Sequence, residues 1–272
     1  SSYWPCYYSA EKEEMATHLE NGTWVLVSRS TLPKGTKIMP TKWVYDDKIG
    51  LDSYGMPMII RFKARLTAMG NFQRPGIDYF ETFASVMRTQ TFRLLIIIRL
   101  LHPLNILEQW DAKAAFINAP FRDGEQLYVS QPQGHVVPGM EQYVCALKKA
   151  LYGTKQAAAA WQKHLKDLCV SVGFYPYLKD EAVYYCWTQD GRGFCIVGTH
   201  VDDLFPVYNP AGKVLRDALW DKLSSSMTLK NEGEATWAHK TKNQNDPGAG
   251  ITKISKGAYA REVLSRFGMA DS

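Results

Sequence analysis

Asp202 and Asp203 stand side by side where the apolar run Phe194-Cys-Ile-Val-Gly-Thr-His-Val201 gives way to a second apolar stretch from Leu204, the pattern of a hairpin with acid at its tip. Two like charges at the ends of buried strands repel each other and resist desolvation, so a divalent cation is the simplest partner that would neutralise them. Taken alone, such a pair reads more readily as a solvated turn whose carboxylates cap backbone groups. The segment Glu108-Gln-Trp-Asp-Ala-Lys-Ala-Ala-Phe-Ile117 shifts that balance: a third acid, Asp111, ends another expected strand, and the aromatic Phe116 follows it. Three acids can hold two Mg²⁺. Two-metal nucleotidyl transfer needs hard oxygen ligands from separate strands, so that one ion activates an attacking hydroxyl while the other steadies a triphosphate.

Periodicity outlines the elements that must deliver these acids. Leu104 to Asp111 reads as one strand, and Ala182 to Trp187 with Phe194 to Thr199, joined near Asp190-Gly191, as the pair leading to Asp202. Ala157 to Val172 is an amphipathic helix through Trp161, Leu165 and Leu168, stopped by Gly173. Apolar residues nearly encircle the expected helix Thr89 to His102, which predicts burial. Upstream, Ser9 to Asn21 reads as a helix capped by Ser9, with Met15 and Leu19 on one face. Trp24 to Val27 and Ile38 to Tyr45 read as an antiparallel unit. In Ile59 to Ala68, alternation sets Arg61, Lys63 and Arg65 on one face and Ile60, Phe62, Ala64 and Leu66 on the other. That basic stripe is either an ordinary solvated face or, beside a three-carboxylate site, a triphosphate contact. A short strand at Gln126 to Ser130, a helix near Val214 to Leu223, a polar loop from Lys240 to Gly250, a strand at Ile251 to Ser255 and a helix from Tyr259 to Phe267 complete the chain.

Composition narrows the class. The 272 residues are 46% hydrophobic and 12% aromatic, enough for a substantial core, and a formal charge of +5 suits an anionic partner without demanding one. The five cysteines are odd in number and scattered, with no Cys-x-x-Cys pair, which argues against a disulfide framework or a zinc site and for an intracellular, reducing compartment. The longest apolar run, Leu94 to Leu101, is too short to span a bilayer and is broken by Arg99, so membrane insertion is not expected. No secretory signal is expected, and the absence of an initial Met suggests a processed, truncated or partial product.

Ordered blocks along nearly the whole chain resemble the reverse transcriptase domain of copia-type long-terminal-repeat retrotransposons. They are Thr23-Trp24, Lys42-Trp-Val-Tyr45, Phe62-Lys-Ala-Arg-Leu66, Gly76-Ile-Asp-Tyr-Phe-Glu-Thr-Phe-Ala84, Gln109-Trp-Asp-Ala-Lys-Ala-Ala-Phe116, Ala150-Leu-Tyr-Gly153, Lys155-Gln156, Val201-Asp-Asp203 and Phe267-Gly-Met269. The resemblance implies an α+β right-hand polymerase of fingers, palm and partial thumb, with an antiparallel palm sheet backed by helices. It divides the chain into an N-terminal brace and fingers over 1–100, a palm with Asp111 and Asp202-Asp203 over 101–225, and a C-terminal palm or thumb segment over 226–272. Carried over residue by residue, it makes Asp111, Asp202 and Asp203 the catalytic, metal-binding triad for two Mg²⁺. Lys63 and Arg65 then meet the triphosphate, Phe116 senses the sugar, and Gln156 opens the helix at the templating pair. Arg61 and His200 become candidate nucleic-acid contacts. Phe116 reads equally well as a plain core aromatic. The implied partners are RNA, an RNA/DNA hybrid and deoxynucleoside triphosphates.

The sequence also departs from the family pattern. His200 stands for a Tyr, Met69 for an Arg, Ser85 for a Pro, Ala119-Pro120 for a segment with Gly, Thr154 for a Leu and Ala158-Ala159 for Pro-Arg. Pro206 interrupts the strand after the aspartates, removing a ladder donor, and Ala238-His239 replaces Leu-Gly. These changes cluster at substrate-handling surfaces. They leave open a second function: a catalytically silent, domesticated domain serving as an RNA-binding or scaffold subunit of a ribonucleoprotein or other large complex, with RNA and protein subunits as partners.

Overall fold

A computed structural model describes residues 3–54, 56–79, 82–121, 126–235, 237–238, 241–246 and 251–269. In chain order the first elements are α1 (Trp4–Glu20), β1 (Trp24–Ser28), β2 (Ile38–Met39), β3 (Thr41–Leu51), β4 (Pro57–Ala68), α2 (Thr89–Leu100), β5 (Ile106–Ala112) and α3 (Ala115–Asn118). There follow β6 (Tyr128–Val129), β7 (Tyr143–Leu147), α4 (Ala157–Ser171), β8 (Tyr175–Tyr177), β9 (Asp180–Trp187), β10 (Phe194–His200) and β11 (Asp203–Tyr208). The last are α5 (Lys213–Ser226), β12 (Leu229–Glu234), β13 (Trp237–Ala238), β14 (Thr241–Asp246), β15 (Ile251–Ser255) and α6 (Gly257–Arg266). The class is α+β. Two compact units interleave along the chain, residues 1–84 with 115–164 and residues 85–114 with 165–272.

In the first unit a four-stranded sheet has the order β1-β7-β6-β2, and β3 pairs with β4 in a long hairpin. The expected antiparallel unit of Trp24 to Val27 with Ile38 to Tyr45 does not form: β1 pairs with β7, β2 runs parallel to β6, and the chain from Thr41 onward joins β4. The pairing that wins uses Tyr143-Val-Cys-Ala-Leu147, an unbroken apolar run with no alternation to flag it and almost entirely buried in the sheet. The expected alternation in β4 holds from Phe62 onward, with Ala64, Leu66 and Ala68 buried, while Ile60 is exposed. Helix α1 starts at Trp4 rather than Ser9, with Pro5 in its first turn where a missing N–H costs nothing. Its packed face is Ala10, Glu11 and His18 rather than Met15 and Leu19, and Leu19 is exposed. Partners make that polar face tolerable: Glu11 accepts from Tyr45 Oη at 2.5 Å and lies 2.8 Å from His135 Nε2, while His18 Nδ1 lies 3.1 Å from Thr23 Oγ1.

The second unit is built on a six-stranded antiparallel sheet of order β12-β5-β11-β10-β9-β8. Strand alternation gives it two distinct faces. On one, Leu107, Phe205, Val207 and Val183 meet Met87, Phe92, Leu95 and Ile96 in and before α2. Only this side of α2 is buried; Leu94, Ile97 and Leu101 are exposed, because a helix lying on a sheet hides one stripe whatever its composition. On the other face, Trp110 of β5 meets Trp220 of α5 edge-on at 5.0 Å. Pro206 does not interrupt β11, which runs through it between β5 and β10. The ladder to β5 skips Phe205 and Pro206, however, pairing Asp203 with Asp111, Leu204 with Trp110, Val207 with Leu107 and Tyr208 with Ile106. Strands β13, β14 and β15 form a separate small sheet, so residues 241–246 of the expected polar loop are strand, while 240 and 247–250 lie outside the described residues. His239 also lies outside them.

Candidate active site

Strands β10 and β11 close through the two-residue turn Val201-Asp202, with His200 opposite Asp203. Val201 has φ +58, and a positive φ at the first central residue alone is the pattern of a type II′ hairpin turn, which glycine usually occupies. A β-branched side chain there marks local strain held by its surroundings. One tether is visible: the Ala112 N–H donates to the Asp202 carbonyl at 2.9 Å, tying the turn to β5.

That bond also fixes the chemistry of the neighbouring pair. Hydrogen-bonded and non-hydrogen-bonded pairs alternate along an antiparallel ladder, so Asp203 and Asp111, one step on from Asp202 and Ala112, form a non-hydrogen-bonded pair. In such pairs the side chains stand closest, on the same face. Burial raises the Asp111 carboxyl above its ordinary range, and repulsion from Asp202 and Glu232 adds to this while Lys230 and Lys113 oppose it. Asp203 is raised too, first by burial and then by Asp202 and Asp111, against a hydrogen bond from Gln109 Nε2 at 3.1 Å and the field of His200. Partly desolvated carboxylates on adjacent strands favour positive charge beside them, which Lys230 and Lys113 supply in part at Asp111. Among the described residues, no three acid, histidine or cysteine side chains converge closely enough to enclose an ion by themselves.

The structure brings Asp111, Asp202, Asp203 and His200 together in the second unit and carries Arg61, Lys63, Arg65, Phe116 and Gln156 on the first. On β4, Arg61 pairs with Glu13 at 3.4 Å, Arg65 with Asp46 at 3.6 Å, and Lys63 lies opposite Asp46. Phe116, in α3, is half-buried and meets Tyr152 edge-on at 4.8 Å. Gln156 is buried, accepting from Gln73 Nε2 at 2.8 Å and donating to the Asp78 carbonyl at 3.3 Å, so its amide braces the 73–78 loop. Sequence reasoning missed Gln109, Lys113, Lys230 and Glu232. Period-two counting back from Asp111 would have found Gln109; Lys230 and Glu232 sit in Leu229-Lys-Asn-Glu-Gly-Glu234, a polar stretch that gives no strand signal.

The model of the family described as reverse transcriptase (RNA-dependent DNA polymerase) matches residues 21–272. The chain belongs to that family. Among its relatives are Pol polyproteins of copia-type retrotransposons. It is 32% identical over 263 residues to the retrovirus-related Pol polyprotein from transposon TNT 1-94 of Nicotiana tabacum, covering 97% of this chain and 19% of that one. With the corresponding polyprotein from transposon RE2 of Arabidopsis thaliana it shares 31% identity over 94% of this chain and 17% of the relative. This reverse transcriptase domain therefore spans under a fifth of the length of those relatives. A solved foamy viral protease-reverse transcriptase in complex with double-stranded DNA aligns at 13% identity and a TM-score of 0.40, over 80% of this chain and 29% of that one, too loose a likeness to rest anything on.

Proposed function

We propose that the domain is an RNA-directed DNA polymerase in which a primer 3′-hydroxyl attacks the α-phosphorus of a deoxynucleoside triphosphate on an RNA template. The observation that carries this reading is the side-by-side pairing of Asp111 with Asp203 on neighbouring strands, next to Asp202 in the turn. The donor set fits Mg²⁺: hard carboxylate oxygens, two of them with pKa raised first by burial and then by neighbouring acids, with no complete protein cage among the described residues. An open set of this kind suits an ion that takes one or two carboxylates and completes its shell with water and substrate phosphates. When bound, two such ions would lower the pKa of the attacking hydroxyl and neutralise charge on the leaving pyrophosphate. Asp111 and Asp202 would hold both ions, with Asp203 assisting. Gln109 fixes the Asp203 carboxylate through its hydrogen bond, and Lys230 and Lys113 moderate the negative field around Asp111. In this reading the six-stranded sheet is the palm, the β3–β4 hairpin belongs to the fingers, and the small C-terminal sheet with α6 begins the thumb. Lys63 and Arg65 offer cationic groups for a phosphate-bearing ligand, a contribution of electrostatics and positioning. Primer extension on an RNA template in Mg²⁺ is expected from the wild-type chain and absent from Asp202→Asn. No extension by the wild type in Mg²⁺ or Mn²⁺ would remove the polymerase reading.

A further inference from the structure

Behind the acids, on the opposite face of the same strands, the Glu108 carboxylate collects an unusual number of donors. It accepts from Trp110 Nε1 at 2.7 Å, Arg216 Nε at 3.0 Å and Nη2 at 2.6 Å, Tyr208 Oη at 2.8 Å and Asn231 Nδ2 at 3.4 Å. Those donors come from β5 itself, α5, β11 and β12, so one side chain knits three adjacent strands and the helix that covers them. Arg216 also lies over the rings of Trp110 and Trp220, at 4.9 and 5.2 Å from their centroids. Burial pulls its guanidinium pKa down, but the Glu108 bonds outweigh that and leave it raised. Glu108 and Arg216 are each 13% exposed, so the pair is largely withdrawn from solvent.

The position of this cluster coincides with the gap in the ladder. Because Asp202 and Ala112 are hydrogen-bonded across β5 and β11, so should be Leu204 with Trp110, Pro206 with Glu108, and Tyr208 with Ile106. Pro206 has no N–H, so the bond it would have given to the Glu108 carbonyl is missing. The hydroxyl of Tyr208 reaches from β11 to the side chain of that same Glu108 and bridges the two strands where the backbone cannot. We infer that Glu108 and Tyr208 are positioning residues that replace the ladder bond lost at Pro206 and so hold Asp111 in register with Asp203. This rests on the reading of those acids as a divalent-cation site, but its structural part can be tested separately.

The experiment uses the 272-residue chain in four forms: wild type, Tyr208→Phe, Pro206→Val and the double variant. Amide hydrogen exchange is followed at Ala112 and Leu204, with Tyr184 in β9 as a distant control, and Mn²⁺ affinity is read by electron paramagnetic resonance of the free ion. One lost hydrogen bond of about 1 kcal/mol corresponds to roughly fivefold faster exchange at the two β5–β11 amides. We expect that acceleration in Tyr208→Phe, with Tyr184 unchanged and Mn²⁺ binding weakened several-fold. In the Pro206→Val background, where the backbone donor is restored, the same Tyr208→Phe change should shift exchange and affinity less than about twofold. Equal effects in both backgrounds, or acceleration that includes Tyr184, would overturn the inference. If Tyr208→Phe fails to fold alone, it is made only in the Pro206→Val background, where folding with exchange within about twofold of Pro206→Val supports the inference and failure to fold there as well overturns it. A wild type that binds no Mn²⁺ would undo the cation site, while the exchange comparison would still decide the register.

Discussion

Replacing Asp203 with Asn should stabilise the metal-free protein. In the wild type, two carboxylates stand opposite each other in a non-hydrogen-bonded cross-strand pair, both half-buried. Like charges directly opposite on a sheet are destabilising by roughly 0.2–1 kcal/mol, and partial burial strengthens the effect. Asn keeps the size of the side chain and an oxygen for Gln109 Nε2, so the hydrogen bond survives while the repulsion goes. The expected gain is about 1 kcal/mol in EDTA at pH 7, read from urea midpoints at unchanged m. The sign of the pH dependence follows from the raised pKa. A carboxyl raised in the folded state favours folding when protonated, so its contribution is intact below the ordinary value of 3.8 and is lost as pH climbs through the raised folded value. The advantage of Asp203→Asn should therefore be full at pH 7 and vanish on acidification below 3.8. Magnesium should reverse the ranking: at ten times its dissociation constant it adds about 1.4 kcal/mol to the wild type and less to the variant. An Asn variant less stable than the wild type in EDTA at pH 7, or a gain of the same size at every pH, would refute the placing of these charges.

Two glycines test the packing around the site and within the first unit. A Cβ on Gly198 in β10 would lie 2.2 Å from Met87 Sδ and 3.0 Å from Leu95 Cδ1, so Gly198→Ala should cost about 1–3 kcal/mol in chemical denaturation. Much of that cost should disappear in a Met87→Ala background; a cost unaffected by Met87 would sink the packing account. Gly153 has φ +84, and a Cβ there would meet the Ala68 carbonyl oxygen at 2.1 Å, a backbone atom that cannot swing aside. Gly153→Ala should lower soluble yield and protease resistance far more than Gly134→Ala, whose φ of +82 is similar but which has open space around it; equal behaviour of the two would mean that strain alone, not the close approach, decides.

The parts of the fold legible in the sequence are those where local pattern and burial coincide. In β4 the alternation of Phe62 to Leu66 survives because one face of the hairpin packs on α1 and the core while the other stays wet. The ends of α4 lie close to expectation, since a helix closed by Gly173 at φ +86 carries its own stop signal. Pairing partners are illegible wherever the partner is distant in sequence. Nothing in Trp24 to Val27 says that it joins Tyr143 to Leu147, because both runs are generic apolar strand and the choice is made by the whole core. The buried Glu11 and His18 of α1 are hidden for a related reason: polar residues look like a solvent face until Tyr45, His135 and Thr23 arrive from elsewhere to satisfy them.

The candidate site divides along the same line. That Asp111, Asp202 and Asp203 would meet can be argued from residue type alone, since acids at the ends of apolar strands need a common counter-charge. What holds them at the right spacing cannot. The stretch Glu108-Gln-Trp-Asp111 alternates, with Gln109 and Asp111 on the acid face and Glu108 and Trp110 on the back, but a glutamate beside a glutamine reads as exposed, not as the half-buried hub of a four-element tie. Its donors Tyr208, Arg216 and Asn231 lie 100, 108 and 123 residues away. Pro206 points the same way. In the sequence it reads as a break in the strand after the aspartates, and hence a mark against function; in the sheet its missing donor lies opposite Glu108, where the side chains converge. A departure from the family pattern at one position is therefore best judged together with the residue facing it across the ladder, because the pair, rather than the proline, determines whether the acids stay in register.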